Sequence, residues 1–309
     1  MHHCLDLRFA GQTHTIAAYL LESSEGPVLV ETGPYSCFPV LEEALAARGY
    51  SPQDVRHVFL THIHLDHAGA AWAFARHGAK IYVHPKGAPH LHNPERLLLS
   101  ARRIYQDQME QLWGALHGIP QDRLEVVSDG QRVRVGNLRL KALFTPGHAV
   151  HHIAWQWGDS LFTGDVAGIR IQNGIVLPPC PPPDIDIEAW EQSLDRIREK
   201  RFQRLFLAHF GEVTDVREHI RELRARLRNW ALWMKPFADA DTPPQEIIPR
   251  FERYVQTQLA AFGINGDSLH RYNMANPPWM SVLGLLRYWK KKREKSSSGT
   301  NVSQDSKLS

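Results

Sequence analysis

Cysteine is scarce in this sequence, with only Cys4, Cys37 and Cys180 among 309 residues. They are odd in number, far apart and free of any CxxC pair, which excludes a disulfide framework and predicts reduced thiols. The first residues, MHHCLDLRF, also lack the basic flank followed by an apolar run that is typical of a secretory signal. We therefore expect a cytoplasmic protein.

Neither an excess of one charge nor a long hydrophobic run is present. The 36 basic and 33 acidic side chains leave a net charge of +3, which creates no strong field for nucleic acid. The best apolar stretch, Pro278 to Trp289, is shorter than the roughly 18 residues that suggest a membrane span. We expect no nucleic-acid partner and no transmembrane segment, and the sequence leaves the oligomeric state open, with a homodimer as one candidate.

Strand and helix patterns alternate along most of the chain, as in an α/β protein. We predict a catalytic domain over residues 1–235, interrupted at about 84–123 by a lid-like insertion. This insertion combines a loop rich in proline and histidine with a long helical pattern. Beyond Pro236 we predict a C-terminal helical cap over residues 236–290. A tail over residues 291–309 has almost no apolar content, so we expect it to be disordered.

The chemistry is concentrated in one short motif, Thr61-His62-Ile63-His64-Leu65-Asp66-His67, between an apolar strand and a helix. Imidazole and carboxylate are ligands that divalent zinc or iron accepts. In an extended segment, His62 and His64 point the same way. As the chain bends into the helix, Asp66 and His67 can face a second ion. Four such side chains in six residues predict a metal site rather than solvated histidines.

Three later strand ends carry further candidate ligands: His148 after Thr-Pro-Gly, Asp165 after Phe-Thr-Gly, and His209 after Leu-Ala. The whole series resembles the metallo-β-lactamase superfamily, whose pattern is HxHxDH followed by histidine, aspartate and histidine. The resemblance covers roughly residues 14 to 225. It implies an α/β fold, the four-layer αββα sandwich, here with an added C-terminal helical segment.

The resemblance also implies a role for each ligand. It assigns His62, His64 and His148 to one divalent ion and Asp66, His67 and His209 to another, with Asp165 bridging. We expect zinc in both places, with iron or manganese as alternatives. Two adjacent cations lower the pKa of a bound water, so a bridging hydroxide can attack a carbonyl without any serine or cysteine nucleophile. Asp66 is the candidate for general acid catalysis.

Several neighbouring residues are candidates for supporting roles. Glu31 stands where relatives usually have aspartate before Thr-Gly, a position expected to brace the metal loop. His152 follows the Thr-Pro-Gly-His segment and is expected to hydrogen-bond a ligand from outside. The side chains predicted to contact substrate lie in the 84–123 insertion and the C-terminal cap: His84, His90, Tyr272, Asn273 and Trp279.

Within the superfamily, the sequence is most similar to the group of glyoxalase II, lactonases and related thioesterases. This resemblance implies hydrolysis of a small-molecule thioester or lactone. His64 stands where flavodiiron proteins carry glutamate, which argues against oxygen reduction. Three alternatives stay open: a phosphodiesterase or ribonuclease, a sulfur dioxygenase with one iron, and a metal-bound binding module without catalysis.

Overall fold

The computed structural model describes residues 1–301 and contains two six-stranded sheets. The strands of the first sheet follow one another in chain order: β1 (His2–Asp6), β2 (Ala17–Ser23), β3 (Gly26–Val30), β4 (His57–Phe59), β5 (Lys80–Val83) and β6 (Leu124–Val126). The first three strands are antiparallel, whereas β3 to β6 are parallel. Strands β3, β4 and β5 therefore end at the same edge of the sheet.

The second sheet has the order β12-β11-β10-β9-β8-β7. Its strands are β7 (Arg132–Val135), β8 (Leu138–Phe144), β9 (Ile153–Trp157), β10 (Ser160–Gly164), β11 (Arg204–Leu207) and β12 (Gly211–Val213). Strands β10 and β11 are parallel, and the other neighbouring pairs are antiparallel. The parallel pair places two strand ends side by side.

Successive side chains of a strand point to opposite faces, so each sheet packs one face against the other sheet and the other face against helices. In β2, Ala17, Tyr19 and Leu21 belong to the cluster between the sheets, whereas Ala18 and Leu20 belong to the cluster under the helices. This is the twofold periodicity of a strand that is buried on both faces. The large buried aromatic side chains between the sheets are Tyr19, Phe59, Tyr82, Trp155, Phe162 and Phe206.

Helices cover both outer faces. The cluster on the first sheet includes residues of α1 (Phe38–Ala46), α2 (Leu65–Ala68), α3 (Ala71–Arg76), α4 (Ala88–His92), α5 (Glu95–Tyr105) and α6 (Met109–Trp113). The cluster on the second sheet includes residues of α7 (Ile187–Glu199), α8 (Val216–Asp239), α9 (Pro244–Ala260), α10 (Gly266–Ala275) and α11 (Pro278–Asn301). The expected four-layer sandwich with C-terminal helices is confirmed.

The insertion between β5 and β6 is helical, but the long helix suggested by its apolar pattern is interrupted. Gln106 has a positive φ of 46° with ψ of −122°, and it begins a short turn that leads from α5 into α6. A residue with these dihedral angles cannot continue a right-handed helix. Ala101 and Trp113 nevertheless bury against the first-sheet cluster, so the insertion is packed onto the domain.

Two helices run across boundaries that are predicted for the C-terminal region. Helix α8 does not stop before Pro236 but continues to Asp239, and Ala240 N–H still donates to the Pro236 carbonyl. Helix α11 extends to Asn301, so the predicted disordered tail of residues 291–309 begins inside a helix. Residues 302–309 lie outside the described residues.

Contacts made by its basic side chains explain why α11 is longer than its composition suggests. Lys292 forms an ion pair with Glu188 on α7. Arg293 forms an ion pair with Asp241 at 2.7 Å and also donates to the Ala238 carbonyl. These tertiary contacts hold a segment that has little apolar surface of its own to bury.

The thiols agree with the sequence prediction. Cys4 is exposed, Cys37 and Cys180 are buried, and all three are free. Within residues 1–301, no helix is both long enough and apolar enough to cross a membrane.

Candidate metal centre

The predicted ligands meet because the strands that precede them end at one edge of the sandwich. The HxHxDH segment follows β4, Asp165 follows β10, and His209 lies two residues after β11. Backbone hydrogen bonds join the two sheets at this edge. Ile153 N–H donates to the Thr61 carbonyl at 2.7 Å, and Ala17 N–H donates to the Ala208 carbonyl at 2.8 Å. The site therefore lies where the two sheets are tied together.

One group of donors consists of three imidazoles. His64 Nδ1 lies 3.0 Å from His62 Nε2 and 3.1 Å from His148 Nε2. Burial lowers the pKa of all three rings, that of His64 to about 3, and neighbouring imidazoles contribute to the lowering. Neutral imidazoles present lone pairs, so these three nitrogens are suited to bind a cation.

The second group contains a carboxylate and two imidazoles. Asp66 Oδ2 lies 3.5 Å from His67 Nε2 and 3.4 Å from His209 Nε2. Both of these nitrogens are buried, and among the described residues neither has a hydrogen-bond partner. Buried polar atoms without partners are costly, so this cluster suits a bound cation.

Asp165 lies between the two groups. Its Oδ1 is 3.3 Å from His67 Nε2 and 3.4 Å from His209 Nε2, and its Oδ2 is 3.3 Å from His148 Nε2. Each carboxylate oxygen thus faces a different group. The structure brings together all the ligand residues that the motif predicts, and their nitrogen and oxygen donors are the kind that divalent ions such as zinc accept.

Backbone carbonyls fix the orientation of two ligands from outside. His148 Nδ1 lies 2.9 Å from the Pro179 carbonyl oxygen, and His209 Nδ1 lies 2.7 Å from that of Thr15. Because a carbonyl can only accept, each Nδ1 carries the proton and each Nε2 turns its lone pair inward. Such outer contacts commonly set the tautomer of metal-binding histidines.

Glu31 and Thr61 form a buried brace behind the metal loop. Glu31 has a left-handed backbone, with φ of 68°, and its carboxylate accepts a hydrogen bond from the Thr61 hydroxyl. Glu31 Oε1 also lies 3.3 Å from His67 Nδ1, and Thr61 Oγ1 lies 2.9 Å from His62 Nδ1. Glu31 faces the ring nitrogen of His67 that points away from the donor cluster, so these contacts support the predicted bracing role. The sequence analysis assigns no role to Thr61, although Thr61 is the first residue of the motif.

His152 touches the backbone of a ligand residue rather than a metal-facing atom. Its Nδ1 lies 2.8 Å from Thr145 Oγ1, and its Nε2 accepts from the backbone N–H of Asp165 at 3.2 Å. The ring is therefore neutral with its proton on Nδ1, and burial lowers its pKa well below the usual value. This hydrogen bond agrees with the prediction that His152 contacts a ligand residue from outside the metal site.

The carboxylates dominate the electrostatics of the second group. Burial alone would lower the pKa of His67, but Asp66, Asp165 and Glu31 outweigh it and raise that pKa well above its usual value. Burial also acts to lower the pKa of His209, and Asp165 and Asp66 again outweigh it and raise that pKa. Cation binding at this group would replace the protons on these imidazoles, as expected when metal binding is coupled to deprotonation of its ligands.

A cavity of about 350 Å³ opens over the candidate ligands His64, Asp66, Asp165 and His209. Its other walls are formed by α5 and α6, by prolines of the 179–183 run, and by residues 273–280. Sequence reasoning missed Phe9, Tyr105 and Trp113, which line the cavity from segments far apart in the chain.

Only some of the residues that are predicted to contact substrate line the cavity. Asn273 and Trp279 line the cavity, but Tyr272 does not. Tyr272 is buried, and its hydroxyl donates to the Ile175 carbonyl at 2.7 Å and accepts from Ile171 N–H at 3.2 Å. The predicted contact of Tyr272 with substrate gains no support, because its polar atom holds a backbone loop.

The two loop histidines also lie outside the cavity lining. His84 is buried against the Phe144 ring, and its Nδ1 accepts from Lys86 N–H at 3.0 Å. His90 is half-buried in α4. The structure does not bring either residue into the cavity over the ligands, so their predicted contact with substrate gains no support.

Known proteins are similar to this chain over different lengths. A metallo-beta-lactamase fold-containing protein of Sulfurisphaera tokodaii is 31% identical over 176 residues, which are 55% of this chain and 67% of that protein. The hydroxyacylglutathione hydrolase of Salmonella typhi is 24% identical over 67% of this chain and 73% of its own length. An N-acyl homoserine lactonase of Agrobacterium fabrum is 30% identical over 37% of this chain and 43% of its own length.

A solved structure covers more of the fold. The metallo-beta-lactamase family protein of Thermus thermophilus superposes with a TM-score of 0.65 at 23% identity, covering 94% of this chain and 93% of that one. A family model described as the metallo-beta-lactamase superfamily matches residues 13–209, which include every predicted ligand. The chain therefore belongs to the metallo-β-lactamase superfamily.

Proposed function

We propose that the protein is a hydrolase of small-molecule carboxylic esters, namely thioesters or lactones, that works with two divalent metal ions, zinc foremost. The observation that carries this proposal is the position of Asp165, whose two oxygens face two separate donor groups. The relatives named as a hydroxyacylglutathione hydrolase and a homoserine lactonase support a carboxylic ester as the reacting bond.

The residues of the site prepare it for such a reaction. His62, His64 and His148 would hold one ion and Asp66, His67 and His209 the other. When bound, the two ions would supply a water acidic enough to act as a nucleophile near neutral pH and would polarise the ester carbonyl. Burial of the ligands keeps bulk water from competing with them, and the carbonyl contacts of His148 and His209 hold the rings in place.

Asp66 is the carboxylate with access to the leaving group. Its side chain is 23% exposed and lines the cavity, whereas that of Asp165 is only 5% exposed. Asp66 can therefore accept the proton that the attacking water gives up and pass it to the departing thiolate or alkoxide as the acyl bond breaks. The acyl carbon gains the hydroxide, the leaving group gains the proton, and the carboxylic acid product loses its own proton to solvent.

The lining of the cavity disfavours a phosphodiester substrate. Among the described residues, no lysine or arginine lines it. Recognition of a phosphate backbone usually relies on such cations. This observation supports a neutral ester over the ribonuclease alternative.

Metal analysis combined with a substrate panel tests the proposal. We expect two metals per chain in the reconstituted protein and turnover of a thioester or a lactone. A fully metallated protein that is inert to both classes would refute the proposed hydrolase. A protein active with one iron per chain would instead favour the dioxygenase.

Asp66→Asn tests the proton donor, with Asp122→Asn as the control because Asp122 is 75% exposed on the surface. We expect Asp66→Asn to slow turnover by about 10²-fold or more. The loss should shrink for a thiol leaving group of low pKa, which needs no proton. A loss that does not depend on the leaving group would show that Asp66 acts only in metal binding.

A further inference from the structure

Within residues 1–301, the cavity over the site carries no charged side chain apart from the candidate ligands. The described residues that line it include Asp66, Asp165, His64 and His209, and every other lining residue is apolar or a neutral polar residue. The insertion has arginines, but Arg102 and Arg103 are exposed on α5 and are not part of the lining. The sequence therefore places basic side chains on this helix and keeps them out of the cavity.

The apolar walls come from two parts of the chain. Helix α5 contributes Leu97, Ala101 and Ile104, and the C-terminal segment contributes Met274 and Trp279. These side chains surround a space that is not filled by the protein. An apolar cavity of this size, bounded at one end by polar groups, is typical of a site for an apolar ligand.

From this lining we infer that the substrate is an ester of an uncharged, apolar acyl group, which lies in the cavity between α5 and the 273–280 segment. The inference rests on the proposed function and specifies its substrate class. Common thiol carriers of acyl groups are themselves charged, and burying their charge in a cavity without a counter-charge would be unfavourable. The acyl part therefore occupies the cavity, and the carrier lies toward solvent.

The aromatic part of the wall is held in place by contacts within the protein. Trp113 lines the cavity and is 9% exposed. Its ring stacks on Phe9 at 5.4 Å and makes an edge contact with Tyr105 at 4.9 Å. This wall therefore presents aromatic surface to a bound acyl group.

Thioesters that carry different acyl groups on the same neutral thiol test the inference. Acetyl, octanoyl and succinyl thioesters of N-acetylcysteamine are given to the metallated full-length protein. We expect kcat/KM for octanoyl to exceed that for acetyl by about tenfold or more, because added methylenes leave water, and succinyl to be the poorest. Succinyl turnover equal to octanoyl turnover would overturn the inference and leave the proposed hydrolase standing.

Two variants of α5 separate the cavity from the rest of the helix. Ile104→Glu places a charge in the lining, whereas Leu99→Glu places the same charge at a position that is 57% exposed and outside the lining. We expect Ile104→Glu to abolish the preference for octanoyl over acetyl and Leu99→Glu to retain it. Equal preferences in the two variants would overturn the inference.

A binding measurement distinguishes failure of the inference from failure of the proposed function. Calorimetric titration of the metallated protein with octanoate and with succinate needs no turnover and no variant. We expect octanoate to bind at least about tenfold more tightly. If octanoate binds but no thioester or lactone is cleaved, the reaction is wrong and the apolar site stands. If succinate binds as tightly as octanoate, the apolar site is refuted.

Discussion

Replacement of Thr61 by valine should weaken metal binding, although Thr61 is not itself a ligand. Its hydroxyl donates to Glu31 and lies 2.9 Å from His62 Nδ1, while Glu31 lies 3.3 Å from His67 Nδ1. One side chain thus links ligands of both donor groups. Valine has nearly the same shape, so the variant removes hydrogen bonds without opening a cavity.

The magnitude follows from what is left without a partner. In Thr61→Val, the Nδ1–H of His62 would lose its buried partner, at about 1–3 kcal/mol, whereas Glu31 Oε1 keeps its contact with His67 Nδ1. We expect the metal-free protein to lose about 1–3 kcal/mol of unfolding free energy by this reasoning. Loss of an outer contact of this kind commonly weakens metal affinity by about 10- to 100-fold.

Two measurements test these values. Competition with a chromophoric chelator gives the zinc affinity, and urea unfolding of the metal-free protein gives the free energy of unfolding. The matched control is Thr163→Val, because Thr163 is equally buried and its hydroxyl contacts only the backbone carbonyls of Gly164 and Phe206 at 3.2 Å. We expect the control to bind zinc like the parent protein. Equal zinc affinity in Thr61→Val and Thr163→Val would refute the bracing role of the Thr61 hydroxyl.

Three further predictions concern the centre and the packing behind it. Asp165→Asn should lower metal content from two equivalents per chain and reduce turnover, because its oxygens face both donor groups; metal analysis checks this. Gly164→Ala should destabilise the protein by about 2–4 kcal/mol in urea unfolding, since Gly164 has φ of 49° and a Cβ would lie 2.3 Å from Thr61 Oγ1. His219 is buried, its Nε2 donates to the Ala167 carbonyl, and burial lowers its pKa to about 4. As the pH falls, His219 is protonated in the unfolded chain before it is protonated in the folded protein, so the free energy of unfolding decreases from about pH 6.5 toward pH 4. Between pH 7 and pH 5, the parent protein should lose about 2 kcal/mol more unfolding free energy than His219→Leu.

Each of these predictions has a clear contrary result. Asp165→Asn with both metals and full turnover would remove the bridging role from Asp165. Gly164→Ala with unchanged stability would mean that Thr61 can move aside freely. Parallel pH profiles for the parent protein and His219→Leu would show that His219 does not titrate differently in the folded and unfolded states.

Much of the centre could be predicted because its information is local. The HxHxDH segment and the later His148, Asp165 and His209 each follow an apolar strand, and strand alternation alone predicts which face is buried. Strands β8 and β9 have the bounds Leu138–Phe144 and Ile153–Trp157, and each reads in the sequence as an apolar segment closed by turn residues. The superfamily resemblance then ordered the ligands along the chain.

Other features depend on side chains that meet only after folding. Tyr272 and Asn273 are neighbours on α10, yet Tyr272 is buried under a loop and Asn273 lines the cavity, because successive helical residues face about 100° apart. Composition could not show that Lys292 and Arg293 find acidic partners on other elements, and the predicted tail therefore begins inside α11.

The ligand chemistry of the centre follows from the chain alone, since ligand type and spacing along single strands are local properties. How the ligands are braced depends on packing, because Thr61 joins Glu31, which follows β3, to His62, which follows β4. Packing of remote helices also makes the space above the ligands apolar. These features depend on how two sheets and remote helices pack together, because no local pattern records which distant side chains become neighbours.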